Sequence, residues 1–192
     1  MTSSLKNIAV FASGGGSNLQ ALIDAAKSGS LPARICAVIS NNANSGALVR
    51  AKNEGIPSYH LQNPGTPEEV TLAALAENSA DILFLSGYLR KIGPAVRSAY
   101  TGQMYNVHPS LLPKYGGKGM YGIHVHRAVI AAGEKETGVT IHRVDAEYDT
   151  GGIVAQTVVP VYPDDTPEVL QARVLDVEHL FIVDVLRDLI YR

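Results

Sequence analysis

Residues 7–18 read Asn7-Ile8-Ala9-Val10-Phe11-Ala12-Ser13-Gly14-Gly15-Gly16-Ser17-Asn18, and this stretch decides the fold. A short β-branched and apolar run ends in three glycines. It leads into Asn18–Lys27, where Leu19, Leu22, Ile23 and Ala26 recur at helical spacing. Strand, glycine turn and helix in immediate succession open a βαβ unit.

The same alternation continues outward. Arg34–Ser40 is a second predicted strand, and Gly46–Glu54 a helix closed by Gly55. Pro57–Leu61 is a short third strand, Pro67–Asn78 is Ala- and Leu-rich and therefore helical, and Asp81–Leu85 is a buried strand. Met104–His108 is a further strand stopped at Pro109, followed by a helical Ile123–Ala132. Gly138–Val144 and Ile153–Val161 are rich in Val, Ile and Thr and read as a strand pair. Thr166 is an N-cap type with Pro167 at the first helical position, which starts a long C-terminal helix. Right-handed βαβ connections then predict an α/β fold, a mostly parallel twisted sheet with helices on both faces.

The chain has 192 residues, which predicts a single domain spanning 1–192 with no added nucleic-acid-binding or regulatory domain. Apolar residues make up 46% and charged residues 18%, ordinary globular usage. The net charge is −2, which argues against a broad footprint for duplex nucleic acid and leaves room for a local anion pocket. Cys36 is the only cysteine, so one chain holds neither a disulfide nor a thiolate zinc site. Met1–Lys6 is polar, and no apolar run reaches the roughly 20 residues that span a bilayer. A cytoplasmic protein with no membrane partner is the expectation.

Ligands of such sheets sit beyond the C-terminal strand ends. The glycines after the first strand let backbone N–H groups approach an anion, and the helix N-terminus adds partial positive charge. The plain alternative is a tight capped turn. Leu19 stands where a dinucleotide fingerprint needs its third glycine, and Ser40-Asn41-Asn42 supplies no acidic residue after the second strand. The only Gly-Lys pair, Gly117-Lys118, is followed by Gly119, so there is no P-loop. A single phosphate is the expected ligand. Ser86-Gly87-Tyr88-Leu89-Arg90-Lys91-Ile92 follows the fourth strand. It suits either a planar ligand held by backbone groups or an ordinary strand-to-helix turn.

Period-two geometry puts Asn106 and His108 on one face, roughly 7 Å apart. Such buried polar groups are costly unless paired. Asp149 lies before Gly151-Gly152, between the two late strands, where an Asp is also a common turn former. His124 and His126 are two residues apart, whereas a helical zinc pair is four apart, so no metal is expected. His142 alternates with Thr140 on a late strand and could line the site. His60 and His179 have no local constellation.

Four segments in order carry a resemblance: Gly14-Gly15-Gly16-Ser17-Asn18, Ser86-Gly87-Tyr88-Leu89-Arg90, Asn106-Val107-His108-Pro109-Ser110-Leu111-Leu112-Pro113 and Asp149-Thr150-Gly151-Gly152. Together they resemble the folate-dependent formyltransferases, and within them the branch that formylates a ribonucleotide in purine synthesis. The resemblance covers nearly the whole chain. It implies a Rossmann-like formyltransferase fold with a late antiparallel strand. It implies transfer of formyl from 10-formyltetrahydrofolate, as co-substrate, to the amine of glycinamide ribonucleotide. It implies Asn106, His108 and Asp149 as catalytic residues, with Gly15, Gly16, Ser17, Asn18 and Glu178 binding the ribonucleotide. It places folate on Leu89, Arg90, Lys91 and Ile92, on Asn106, and on Asp145, Ala146, Glu147, Tyr148 and Asp149. It is compatible with a monomer or a homodimer.

The chain departs from some relatives of that branch. Leu61–Pro67 has no arginine for folate, Leu175 replaces a glutamine, and Gly116–Gly122 is a longer loop. The rivals are a formyltetrahydrofolate hydrolase, which usually carries an N-terminal regulatory domain, and a tRNA-directed formyltransferase, which usually carries a C-terminal barrel. A non-catalytic nucleotide-binding module is a third. In the transferase reading Asn106 donates to the oxyanion and a protonated His108 acts as general acid. Asp149 favours that imidazolium and relays the proton lost by the amine.

Overall fold

The computed structural model describes residues 5–62 and 65–192. The segments 1–6 and 61–67, each part of the sequence reading, lie partly outside the described residues. In chain order the elements are β1 (Lys6–Phe11), α1 (Ser17–Ser28), β2 (Ala33–Ser40), α2 (Gly46–Asn53), β3 (Ser58–His60), α3 (Glu68–Glu77) and β4 (Ile82–Ser86). There follow α4 (Pro94–Ala99), β5 (Gln103–His108), α5 (Ile123–Ala131), β6 (Glu136–Arg143), β7 (Ile153–Pro160) and α6 (Pro167–Tyr191).

The strands form one seven-stranded sheet in the order β3-β2-β1-β4-β5-β6-β7. β1 to β5 pair in parallel, while β6 and β7 run antiparallel. β1 is central and buried on both faces, which is why Ile8–Phe11 is continuously apolar. Ile8 and Val10 enter the core on one side of the sheet, and Ala9 and Phe11 the core on the other. The chain moves outward from β1 to β3 and then returns to β4. A crevice therefore opens where the C-terminal ends of β1 and β4 part.

Two elements differ from the sequence reading by more than one residue at an end. α4 was not predicted, because it has only six residues and sits behind Gly93 and Pro94. Pro94 suits a first helical position, and Glu68 Oε2 accepts from the Val96 N–H at 2.9 Å, so a distant carboxylate caps it. β6 begins at Glu136, two residues early, because Glu136 and Thr137 continue the ladder with β7. α6 opens at Thr166, whose hydroxyl accepts from the Val169 N–H at 3.3 Å. It buries Leu170, Val174, Glu178, Ile182, Val185 and Leu186, and Glu178 is the one charged residue in that stripe. Among the described residues, no helix is long and apolar enough to cross a membrane.

Candidate active site

A cavity of about 590 Å³ opens over the C-terminal ends of β1, β4 and β5. One end is the glycine loop. The Gly14 carbonyl accepts from Ser45 Oγ at 2.9 Å and from the Ala47 N–H at 3.2 Å, and the Gly15 carbonyl accepts from Arg50 Nε at 2.9 Å. The C=O and N–H of a trans peptide point in opposite senses. Tying these two carbonyls toward α2 therefore turns the Gly15 and Gly16 N–H groups the other way. Gly16 has φ 76, and a Cβ there would meet Ala47 Cα at 2.8 Å, so this position needs glycine.

Asn18 anchors that end from below. Its Nδ2 donates to Ser86 Oγ at 2.7 Å and to Glu178 Oε1, joining α1, β4 and α6. Burial pushes the Glu178 carboxyl up to about 7, against the Asn18 hydrogen bond that pulls it down. Gly15, Gly16, Ser17, Asn18 and Glu178 all line the cavity, as do Gln171 and Leu175 of α6.

The cavity floor comes from β5, β6 and the β6–β7 connection. Residues directly opposite on an antiparallel pair share a face. Asn106 is opposite His142, and His108 opposite Thr140. His142 is thus the site residue that the sequence only half disclosed; its alternation with Thr140 was the available signal. Its Nδ1 donates to the Arg143 carbonyl at 2.8 Å, and its Nε2 lies 3.0 Å from Asn106 Nδ2. The second Asn106 N–H makes a longer contact, 3.3 Å, to Asp149 Oδ1.

Asp149 sits between the two histidines, 3.5 Å from His108 Nδ1 and 3.5 Å from His142 Nε2. It holds φ 60, a left-handed conformation that Asp and Asn tolerate better than most residues. Its Oδ2 also accepts from the Gly117 N–H at 2.8 Å. Burial pushes the Asp149 carboxyl up, but the His142 contact, the His108 charge and the Gly117 N–H together outweigh it and hold it below the usual range.

His108 is buried beside Asp149. Burial pushes its imidazole down more than Asp149 and the Tyr115 carbonyl push it up, so without ligands it is neutral at neutral pH. Its Nε2 donates to the Tyr115 carbonyl at 2.7 Å, which leaves the Nδ1 lone pair facing Asp149. The ring is therefore poised to receive a proton at Nδ1 beside a carboxylate. Thr140 supports this geometry by donating to the Ser110 carbonyl at 2.7 Å and accepting from the Leu112 N–H at 3.1 Å, which fixes the turn after His108.

The opposite end joins two segments expected at the folate. Lys91 Nζ lies 2.7 Å from Glu147 Oε2 and 5.1 Å from the centre of the Tyr148 ring. The Leu89 N–H donates to Ser13 Oγ at 2.9 Å, which links this turn to the end of β1. Leu89, Arg90, Lys91, Ile92, Asp145, Glu147 and Tyr148 line the cavity. Ala146 does not; it is exposed, beside Asp145, which accepts from the Glu147 N–H and the Thr150 hydroxyl.

A mostly parallel sheet with this crevice, carrying a carboxylate between two imidazoles and an amide, suits a group-transfer enzyme. The family model for formyl transferase matches residues 6–186, and the chain belongs to that family. It is 43% identical over 189 residues to a chloroplastic phosphoribosylglycinamide formyltransferase of Vigna unguiculata, covering 96% of this chain and 61% of that relative. It is 39% identical over 180 residues to the phosphoribosylglycinamide formyltransferase of Haemophilus influenzae, covering 91% of this chain and 82% of that one. The crystal structure of glycinamide ribonucleotide transformylase 1 from Geobacillus kaustophilus superposes with a TM-score of 0.88 at 41% identity, covering 97% of this chain and 99% of that one. The chain thus spans less than two thirds of the Vigna relative's length.

Proposed function

We propose that this chain, as one cytoplasmic domain, transfers the formyl group of 10-formyltetrahydrofolate to the amine of glycinamide ribonucleotide. The observation that carries this reading is Asp149 held between His108 and His142 beside the Asn106 amide, in one cavity with the glycine loop and the Lys91–Tyr148 pair. The glycine loop takes the substrate phosphate on its N–H groups, and the far end takes the folate.

The chemistry then follows from proton positions. An α-amino group has a pKa of about 8, so a useful fraction is neutral without a strong base. The amine lone pair attacks the formyl carbon, and the C=O electron pair moves onto oxygen. Asn106 stabilises that oxyanion with the N–H now in the long contact to Asp149, while its other N–H stays on His142. The proton lost by the new ammonium passes to His108 Nδ1, where Asp149 holds the imidazolium. As the tetrahedral species collapses, the carbon–nitrogen bond to folate breaks and His108 delivers its proton to the departing nitrogen. The products are N-formylglycinamide ribonucleotide and tetrahydrofolate.

The test is incubation with 10-formyltetrahydrofolate, with and without glycinamide ribonucleotide, following tetrahydrofolate by absorbance. Release that requires the ribonucleotide supports transfer. Release without it indicates hydrolysis, and no release in either case indicates a binding module. Size-exclusion chromatography distinguishes a monomer from a homodimer.

A further inference from the structure

The wall of the cavity contains one polar group that the proposed chemistry does not use. His126 lies in the first turn of α5, is 2% exposed and lines the cavity. Its Nδ1 is buried with no hydrogen-bond partner among the described residues. Its neighbour two residues back behaves differently: His124 packs edge-on against Tyr121, with ring centres 5.2 Å apart. Burial pushes the His126 imidazole down to about 4, with the charge of His108 adding to the effect, so the ring is neutral at working pH.

A buried polar atom without a partner is costly. A half-turn about the terminal side-chain torsion exchanges Nδ1 with a ring carbon at unchanged volume, so either face of the ring can present a nitrogen to the cavity. Position selects the ligand. α5 packs beside α6, and α6 carries Glu178, which is tied to Asn18 of the glycine-loop helix. His126 therefore lines the cavity from a helix packed on the one that carries Glu178, and it is electrostatically coupled to His108.

Resting on the transfer reading, we infer that His126 is a further substrate-binding residue, whose buried, unpartnered imidazole hydrogen-bonds an uncharged polar group of the ribonucleotide, a ribose hydroxyl or the glycinamide amide, between its phosphate and its amine. A neutral ring suits that portion better than the phosphate, which favours a cation or a row of N–H donors.

The test uses three variants and glycinamide ribonucleotide itself. His126→Leu removes both nitrogens, His126→Asn restores a polar atom near Nδ1, and His126→Gln one near Nε2. Calorimetric binding of the ribonucleotide, without folate, is read beside the KM of both substrates. Expected is a roughly tenfold weaker ribonucleotide Kd and KM for His126→Leu, with folate KM changed less than twofold. Either amide variant should recover to within about threefold of wild type. His126→Leu binding at wild-type strength overturns the inference, and so does an equal rise in both KM values. If His126→Leu fails to fold, failure of both amide variants to bind overturns it as well. Wild-type protein that binds no glycinamide ribonucleotide overturns the transfer reading beneath it.

Discussion

The two working regions of the cavity are built in opposite ways. The glycine loop is a single strand–turn–helix, so its N–H donors are contiguous in sequence, although Ser45, Arg50, Ser86 and Glu178 brace it from elsewhere in the chain. The floor is assembled from β5, β6 and the connection after β6, so Asn106, His142 and Asp149 meet only when the antiparallel pair is in register. The loop end offers backbone N–H groups and a carboxyl near neutrality. The floor offers Asp149 and His108, whose charges favour one another against the burial of both. A local turn is enough to bind an anion, whereas proton transfer needs groups that tune each other across the fold.

This contrast predicts that floor mutations move rate and loop mutations move ribonucleotide affinity. The largest effects belong to Asn106→Ala and His108→Ala, each expected to lower kcat by roughly two to three decades, the usual worth of an oxyanion donor, with the melting temperature little changed. Near-normal turnover in both would break the division. Glu178→Gln should act on stability. The Glu178 carboxyl ionises near the usual 4.5 when unfolded and near 7 when folded. Between those values the native state holds a proton that the unfolded state has lost. Its contribution is therefore full below pH 4.5 and is lost as pH rises through 7. Relative to wild type, the Gln variant should gain on the order of 3 kcal/mol at pH 8 and little at pH 4, measured by urea unfolding at both values. An equal change at both pH values would show that the buried carboxyl is not the cause.

Asp149→Asn keeps the shape and tolerates φ 60. It should lower kcat by about a hundredfold, at the low end for general acid–base catalysis, and leave folate Kd near wild type. A weaker folate Kd with unchanged kcat would move Asp149 from the chemistry to binding. The smallest effect belongs to Ser17→Ala, expected to raise ribonucleotide KM roughly threefold to tenfold with kcat unchanged. Steady-state kinetics with each substrate varied in turn separates these outcomes.

The sequence made the loop end legible because its signal is contiguous: an apolar run, three glycines and a helical spacing. The order of strands and helices was legible for the same reason, apart from α4, whose cap Glu68 lies far from it in sequence. The floor was legible only in part. Asn106 and His108 share a strand, so period two brought them together, but His142 needed the register of β6 against β5. Ala146, which the resemblance puts at the folate with its neighbours, is exposed and does not line the cavity. The neutral state of His108 follows from burial, which no spacing rule reports.

The Tyr115 carbonyl accepts from His108, and two residues later the Gly117 N–H donates to Asp149. One short stretch of backbone therefore sets the separation of both partners in the proposed proton transfer. Anyone shortening, lengthening or grafting the Gly116–Gly122 loop would be re-spacing that pair. The rest of the loop, Lys118–Tyr121, lines the cavity as well, so library diversity placed there reshapes the pocket itself.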